Sequence, residues 1–511
     1  MRAHSTTQAN DLTGKMAGQL ARSLFQGLST EPRLWGTLLS SVGWCNLGEG
    51  LDCPVKRSAR GLVERQAVPL LRLRPRACVA GIALILNTVC ACDGESGDAV
   101  TDPDAEVRCR EGALDLVAGT EADSSTFVAL ESLPFRQSGE NVQSPAVELC
   151  VPPDTQSLAI TIFGQALVSE GERYIFSMFR NPSNEALIDP QSGPTLLRSA
   201  VRQSQAPGLG IDFAAILYPQ NPRTSATGGH YRFQSIASVA TDKGVQIALR
   251  RGPRADTGVI PYNLIAVGRA LDDRDERTRV FGALTASDEF FRQRGIRLAE
   301  TGGGIARITD ETFETVVIPS SAGEVPENVP ARLFGAEATE STTLPLAENA
   351  LNIYVVNELT LQPNPDSDIG PGISRNQVVL GVSAGAPGAY LERHGVIVAL
   401  EAHRAGPRRT IEPQLLAGTL AHEVAHWLGL YHTSESTGTI HDRIEDTPEC
   451  TRNFDTNGDG ILTPEECAER GAGNFMFWTI DPNAAFLNQS EISVDQGAQL
   501  RLNPVVSRGQ E

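Results

Sequence analysis

Positive charge, aromatic side chains and long apolar runs are all scarce in this 511-residue sequence. The 43 Lys and Arg residues stand against 62 Asp and Glu residues, for a formal net charge of −19, so nucleic-acid binding has no electrostatic support. Aromatic residues make up only 5% of the chain, whereas Gly residues number 48. That balance suits β-rich, loop-rich extracellular domains better than a helical bundle. The length is typical of two or three domains.

An apolar run at residues 77–86 is too short to span a bilayer, but it has the surroundings of a secretory signal. Basic residues 72–76 precede it and the small residues Val89-Cys-Ala-Cys92 follow it, so residues 77–92 are predicted to be a signal peptide. Val89 to Cys92 also resembles a bacterial lipobox with Cys92 as the lipid-bearing residue. The expected location is therefore outside the cytoplasm, either secreted or attached to the membrane of the bacterial cell envelope through a lipidated Cys92.

The position of this signal bears on the residues before it. Because signal peptides lie at N-termini, residues 1–76 are interpreted as an over-extended gene start. A genuine leader is the alternative. Residues 93–108 are an acidic linker.

Cysteine usage agrees with export. Cys109, Cys150, Cys450 and Cys467 follow residue 92, and an even count outside the cytosol favours disulfides. Pairing of neighbours, Cys109 with Cys150 and Cys450 with Cys467, is the hypothesis chosen among three connectivities. Four buried thiols are the alternative.

Two patterns divide the remainder of the chain. Residues 109–252 contain short runs of alternating apolar residues between turn clusters, which predict an all-β, sandwich-like accessory domain. Its clearest predicted strands are 158–163, 174–179, 213–218, 230–233 and 245–249. Residues 257–511 alternate strand and helix and form the second predicted domain. Its predicted elements are strand 259–267, helix 276–294, strands 296–298, 305–309, 351–356 and 395–400, the helix described next and a closing helix at 493–502.

The stretch Gly418-Thr-Leu-Ala-His422-Glu423-Val-Ala-His426-Trp-Leu-Gly429-Leu-Tyr-His432 carries the chemistry. A helix here places His422 and His426 one turn apart on the same face, and Gly429 is suited to end it. The turn sends the chain back, so that His432 supplies a third nitrogen. Three protein ligands with an open fourth position describe a catalytic Zn²⁺ site. Glu423 follows the first ligand directly and is the candidate general base.

These residues match the extended zinc signature of the metzincin clan of metallopeptidases. Leu428 to Thr433, Asp446-Thr-Pro448 and Asn474-Phe-Met476 further resemble the pappalysin family. The resemblance implies an α+β catalytic domain, with a twisted mixed sheet and an active-site helix. It implies a protein or peptide substrate paired with an edge strand, and Met476 as the Met-turn residue. Family members carry a Tyr two residues after that Met, where this chain has Trp478. Trp478 is therefore a candidate oxyanion donor or pocket residue.

A second ion site is predicted at residues 455–466, which fill a twelve-residue EF-hand calcium loop. Gly460 stands at its sixth position, where a sharp turn is needed. A structural Ca²⁺ role is expected, and pappalysin-like catalytic domains also bind calcium. The predicted ligands are Asp455, Asn457, Asp459, the carbonyl of Ile461 and Glu466.

The sequence thus predicts a secreted or lipid-anchored zinc-dependent endopeptidase in which Glu423 activates water. One alternative is a catalytically weak or inactive zinc- and calcium-binding surface lipoprotein that acts as a binding module. Trp478, at the position of the family's Tyr, favours this interpretation. Another is hydrolysis of an ester or an amidated sugar at the same site. His394 and His403 are expected on the surface. The residues leave the oligomeric state and the cleavage specificity open.

Overall fold

This computed structural model describes residues 110, 112–116, 125–139, 141–164, 174–188, 203–206, 211–318, 329–334, 343–361, 379–388, 394–479 and 489–508. These described residues belong to one compact unit. The predictions for residues 1–76, 77–92 and 93–108, for Cys92 and for Cys109 lie outside the described residues and stay predictions. None of the described helices is both long and apolar enough to cross a membrane.

The described chain up to residue 251 is built from strands. They are β1 (Leu114–Asp115), β2 (Ser125–Pro134), β3 (Arg136–Ser138), β4 (Asn141–Gln143), β5 (Val147–Val151), β6 (Thr155–Phe163), β7 (Tyr174–Arg180), β8 (Ala186–Ile188), β9 (Gln203–Ala206), β10 (Ile211–Tyr218), β11 (Gly229–Ala237) and β12 (Asp242–Arg251). One sheet has the order β1-β5-β11-β4-β3, with β7 pairing with β11 and β8, and the other has the order β2-β12-β6-β10-β9. All five predicted strands of this part lie within observed ones.

Alternation along the strands decides what each sheet face contacts. On β12, Val245, Ile247 and Leu249 join one hydrophobic cluster with Phe176 and Phe233 of the other sheet, because successive side chains point to opposite faces. The two sheets therefore share a buried core. Whether residues 109–252 are a separate domain stays a prediction.

Strands and helices alternate after residue 257. The elements are β13 (Gly258–Val267), α1 (Arg274–Arg292), β14 (Ile296–Ile308), β15 (Thr315–Ile318), α2 (Pro330–Leu333), β16 (Leu351–Val356), β17 (Glu358–Leu361), β18 (Gly381–Ser383), β19 (Gly395–Ala399), β20 (Arg404–Ala405), β21 (Thr410–Ile411), α3 (Pro413–Trp427), α4 (Val494–Leu502) and β22 (Ser507–Arg508). The main sheet has the order β14-β13-β16-β19-β18, with β22 paired to β13. Neighbours from β14 to β19 are parallel, and β18 runs antiparallel to β19 at the edge. The architecture is thus a mixed α/β one.

Helix α1 begins two residues before the predicted start because Asp273 caps it. The Asp273 side chain accepts hydrogen bonds from the amides of Asp275 and Glu276, which satisfies donors that have no partner inside the helix. The Ser287 hydroxyl donates to the carbonyl oxygen of Ala417 at 3.0 Å. Helix α1 is thereby bound to α3, the helix of the histidine motif.

One predicted break in the sheet is wrong. Strands 296–298 and 305–309 were expected to be separate, but they form the single strand β14. Gly302 and Gly304 lie between them with φ of +82° and +75°. Glycine adopts such angles without penalty, and the register against β13 shifts at this point. The strand therefore continues through an irregularity.

The all-β part contacts the α/β part directly. Ala159, Leu217 and Ala248 belong to the hydrophobic cluster that contains the buried residues of α3. The side-chain amide of Gln499, on α4, donates to the carbonyl oxygen of Pro219 at 2.9 Å. Side chains of β6, β10 and β12 therefore help to bury the motif helix.

Candidate metal centre

Helix α3 positions the first two histidines. It has Pro413 in its first turn, and Leu428 is its C-terminal cap, in keeping with the preference for proline at helix starts. Gly429 follows with φ +105°. A Cβ at this position would lie 2.8 Å from Cδ2 of Leu217. Only glycine fits both the backbone angle and the space that Leu217 leaves.

The three histidines of the motif converge. The Nε2 atom of His432 lies 3.3 Å from Nε2 of His422 and 3.0 Å from Nε2 of His426. Among the described residues, they are the only group of three or more His, Cys, Asp or Glu side chains whose candidate ligand atoms all lie within 4.8 Å of one another. The turn at Gly429 thus brings His432 to the face of the helix that carries the other two.

The opposite nitrogen of each ring shows which tautomer is present. Nδ1 of His422 lies 2.7 Å from the carbonyl oxygen of Phe475, and Nδ1 of His426 lies 2.8 Å from that of Leu430. Nδ1 of His432 lies 2.9 Å from a carboxylate oxygen of Glu435. Carbonyl and carboxylate oxygens accept only, so each Nδ1 carries the proton and donates it. Three Nε2 lone pairs therefore face one point, which is the donor set that a Zn²⁺ ion requires.

Burial keeps the imidazoles of His422 and His426 neutral. It lowers the pKa of His422 to about 3, and the neighbouring His432 acts in the same direction. Burial also lowers the pKa of His426 well below its usual value, with His432 and His422 adding to the effect. Neutral imidazole is the form that binds a metal ion, so the cluster fits the predicted ion.

Glu423 lies on the same helix and next to the edge of the sheet. A Cβ on Gly381 of β18 would lie 3.0 Å from Cγ of Glu423, so the edge strand passes close to the carboxylate. Burial raises the pKa of Glu423 to about 8, while a backbone hydrogen bond from Ser383 acts in the opposite direction. A carboxylate with a raised pKa is suited to accept a proton near neutral pH.

The predicted Met-turn contacts two of the histidine-bearing segments through its backbone. Met476 is fully buried, and its carbonyl oxygen accepts a hydrogen bond from the Thr433 amide at 2.9 Å. The carbonyl oxygen of the preceding residue, Phe475, accepts the hydrogen bond from Nδ1 of His422. The side-chain oxygen of Asn474 accepts from the Met476 amide. Residues 474–476 therefore orient the ring of His422 directly, and they fix the backbone of Thr433, the residue after His432.

The indole N–H of Trp478, which the sequence suggests as an oxyanion donor, has an acceptor within the chain. It donates to the carbonyl oxygen of Leu462 at 2.8 Å, and an indole has no second donor. Trp478 packs against the cluster formed by Cys450, Leu462, Cys467, Ala472 and Phe477. Its side chain thus connects the Met-turn to the loop at residues 455–466.

That loop forms without an α-helix on either side among the described residues, since the three-residue 3₁₀ helix Arg452–Phe454 precedes it. Its predicted side-chain ligands accept hydrogen bonds from the loop's own backbone. The two carboxylate oxygens of Asp455 accept from the Gly458 and Gly460 amides at 2.8 and 2.9 Å. The side-chain oxygens of Asn457 and Asp459 each accept from the amide two residues on.

Glu466, the predicted twelfth-position ligand, is held in the same way. Its carboxylate accepts from the amides of Thr463 and Thr456, and these hydrogen bonds lower its pKa to about 2, with the one from Thr463 contributing most. The calcium hypothesis for Asp455, Asn457, Asp459, Ile461 and Glu466 stays a prediction.

The disulfide expected between Cys450 and Cys467 is present, with the Cα atoms 5.7 Å apart. Cys150 is also disulfide-bonded, and its partner is not among the described residues. The pairing of Cys150 with Cys109 stays a prediction.

Two histidines expected on the surface are buried, which corrects that expectation. His394 and His403 are 2% and 0% exposed. The Nδ1 atom of His403 lies 2.6 Å from the Ala399 carbonyl oxygen, and its Nε2 atom lies 2.9 Å from the hydroxyl of Thr419 on α3. A polar ring is buried at low cost when both nitrogens find partners. Sequence position alone did not show that Thr419 would face it.

Sequence reasoning also missed Glu435, the carboxylate that contacts His432. An acidic residue three positions after a predicted ligand is a weak signal, because the segment after Gly429 has no regular periodicity. The main sheet ends in β14 on one side and in β18 on the other, and β18 is the end strand beside Glu423. Which edge strand pairs with a peptide stays a prediction.

The described part of the chain thus combines a mixed α/β fold with three convergent histidines and a neighbouring carboxylate, and solved structures match it over part of its length. No protein-family model matches it, and no curated protein does. Mature mirolysin of Tannerella forsythia, solved in complex with a cleaved peptide, is 17% identical, with 48% of this chain and 90% of that chain covered and a TM-score of 0.29.

Two further solved structures are more distant. Archaemetzincin from Methanopyrus kandleri is 15% identical over 37% of this chain and 82% of that chain, with a TM-score of 0.20. Metalloproteinase-II from Bacteroides fragilis is 13% identical over 39% and 55%, also with a TM-score of 0.20.

Proposed function

We propose that this protein is a zinc-dependent endopeptidase. The observation that carries the proposal is the convergence of the three Nε2 atoms of His422, His426 and His432 beside Glu423. These three imidazoles would hold the ion and leave a position open for substrate. When bound there, zinc supplies Lewis acidity, which makes water a nucleophile near neutral pH and polarises a carbonyl group.

The proton transfers belong to Glu423. Its carboxylate takes the proton from the attacking water as a general base and then gives it to the leaving amine as a general acid. The helix that carries Glu423 also carries two of the three ligands, which keeps base and metal in fixed relation.

A peptide substrate is favoured by the strand beside the base. β18 ends the sheet, and the backbone of its Ser383 contacts Glu423. An extended peptide can add to such an edge through main-chain hydrogen bonds, which would place a scissile bond near the carboxylate. An ester or an amidated sugar has no comparable use for an open strand edge.

The test is cleavage of a diverse peptide library by the full chain, compared with Glu423→Ala and with the matched control Glu412→Ala. Glu412 is exposed at the start of the same helix and its side chain makes no capping hydrogen bond. We expect cleavage by the parent and by the control, and loss of cleavage with Glu423→Ala or with a zinc chelator. A folded, zinc-loaded parent that cleaves no peptide would overturn the proposal and favour a binding module.

A structural calcium ion at residues 455–466 is a separate proposal. It is supported by the spacing of oxygen-bearing side chains and by Gly460, whose φ is +84°. Added Ca²⁺ should raise the unfolding temperature of the parent, since a ligand stabilises the state that binds it. Glu466→Gln should weaken this rise, and Glu465→Gln, an exposed neighbour, should leave it unchanged. An equal rise in all three proteins would contradict the proposal.

Export remains a further proposal, with secretion and lipid attachment at Cys92 as its two forms. Mass spectrometry of the mature N-terminus distinguishes them, because lipidation leaves a modified Cys92 as the first residue.

A further inference from the structure

The three histidines of the metal centre are not held alike. His422 and His426 donate from Nδ1 to backbone carbonyls, whereas His432 donates to the carboxylate of Glu435 at 2.9 Å. A charged acceptor makes a hydrogen bond roughly twice as strong as a neutral one. Of the three histidines, therefore, only His432, which lies outside the helix, has a charged side chain as the acceptor of its Nδ1 proton.

Glu435 lies in a tight turn of its own. Its amide donates to the Ile440 carbonyl oxygen at 2.9 Å, and its carbonyl oxygen accepts from the Gly438 amide at 2.8 Å. The side chain is 34% exposed, so a moderate change at this position does not open a core. The turn fixes the backbone from which the carboxylate reaches His432.

The disulfide-closed segment 450–467 holds this turn in place. The Leu462 amide donates to the Ser436 carbonyl oxygen at 2.7 Å, and the Arg452 amide donates to the Gly438 carbonyl oxygen at 3.0 Å. A Cβ on Gly438 would lie 2.5 Å from the Arg452 nitrogen, so the two segments are in close backbone contact. Neither hydrogen bond involves a metal-binding histidine, but both fix the backbone of the turn that contains Glu435.

From these contacts we infer that Glu435 is a positioning residue of the metal centre, acting through His432; the inference rests on the proposed zinc site. Its carboxylate fixes the ring orientation and tautomer of His432 and raises the basicity of the Nε2 atom that faces the ion. Helix α3 fixes the backbone of His422 and His426, and backbone carbonyls hold their rings. His432 follows a turn and has no such periodic constraint, so it depends on Glu435.

The experiment measures zinc affinity without reference to activity. The zinc dissociation constants of the full-length parent, Glu435→Gln and Glu435→Ala are measured by competition with a chromophoric chelator. Glu449→Ala is the matched control, since Glu449 is an exposed carboxylate of the same connecting segment. The visible spectrum of the Co²⁺-loaded proteins reports the ligand geometry.

We expect Glu435→Ala to weaken zinc binding about 10–100-fold, the usual effect of removing such a partner. Glu435→Gln keeps an acceptor but loses the charge, so it should weaken binding about 3–10-fold. The Co²⁺ spectrum should change in the alanine variant, and Glu449→Ala should match the parent throughout. This graded order separates positioning from simple loop packing, which would not distinguish Gln from Glu.

Equal zinc affinity of the parent and Glu435→Ala would overturn the inference, and so would a Gln variant that binds as tightly as the parent. The proposed function fails differently: the parent would then bind zinc but cleave no peptide, while the order of affinities among the variants would persist.

Discussion

Helix α3 and the segment that follows it, residues 428–478, bring histidines to the same candidate metal centre by different means. In the helix, His422, Glu423 and His426 are placed by a repeat of 3.6 residues. In the segment, His432 reaches the site through the Gly429 turn, the Thr433 contact to Met476 and the Glu435 carboxylate. The difference teaches that the chemistry of this site is encoded locally, whereas its completion depends on contacts between distant residues.

The largest effect should come from the helix. Glu423→Gln removes the proton acceptor and leaves the three Nε2 atoms in place. We expect kcat/KM to fall by about 10²–10⁴-fold, with zinc content unchanged. Steady-state kinetics beside metal analysis of the same sample checks this. Loss of zinc together with activity would show that Glu423 supports the ligands and is not only a base.

The disulfide tests the segment. Cys450→Ser with Cys467→Ser opens a loop with a sequence separation of 17, and the free energy of unfolding should fall by about 3 kcal/mol. Zinc affinity should fall too, because the segment holds the turn of Glu435. Urea unfolding and chelator competition measure the two effects. Unchanged zinc affinity in a destabilised protein would mean that the segment stabilises the fold without tuning the site.

Gly429→Ala tests the junction between the two regions. It requires an alanine at φ +105° with its Cβ 2.8 Å from Leu217, and it should cost about 1–3 kcal/mol of unfolding free energy. Gly406→Ala is the matched control, because Gly406 has φ +70° and no heavy atom within 4 Å of the added Cβ. It should cost less. An equal loss of unfolding free energy in the two variants, measured by urea unfolding, would mean that the Leu217 side chain moves aside without cost.

A pH dependence is expected on the helix side. Burial lowers the pKa of His403 to about 4, although its hydrogen bond to Ala399 opposes the shift. Below its unfolded pKa of about 6.5 the unfolded state binds more protons. The contribution of His403 is therefore fully present above that pH and is lost as the pH falls towards 4.

Urea unfolding of the metal-free protein at pH 7 and pH 5 measures the effect. The parent should lose about 1–2 kcal/mol more than His403→Gln over this range. Parallel pH profiles of the two proteins would show that His403 does not contribute.

The smallest effect is expected at Trp478. Trp478→Phe removes the hydrogen bond to Leu462 and should cost about 1 kcal/mol of stability, while kcat/KM stays within about threefold. Thermal unfolding and peptide kinetics check both expectations. A loss of catalysis far greater than the loss of stability would instead return the oxyanion role to this side chain.

Regular elements were the most predictable part of the fold. Helix α1 and strands β6, β7, β10, β13, β16 and β19 lie close to the positions expected from apolar periodicity. The break expected in β14 was wrong because glycines signal irregular backbone without saying whether pairing stops. The burial of His394 and His403 was missed because Trp427 and Thr419 of α3, which contact these rings, are distant from them in the sequence.

Sequence alone predicted the three convergent histidines, the candidate base and the disulfide between Cys450 and Cys467. Each follows from short-range spacing, and helix geometry is the same in every protein. Only the tertiary structure decided that Glu435 backs His432, that the Trp478 N–H turns to Leu462, and that Leu217 of the all-β part lies against Gly429. Those contacts join residues that are not related by any repeat, and their energies depend on how whole segments pack against one another.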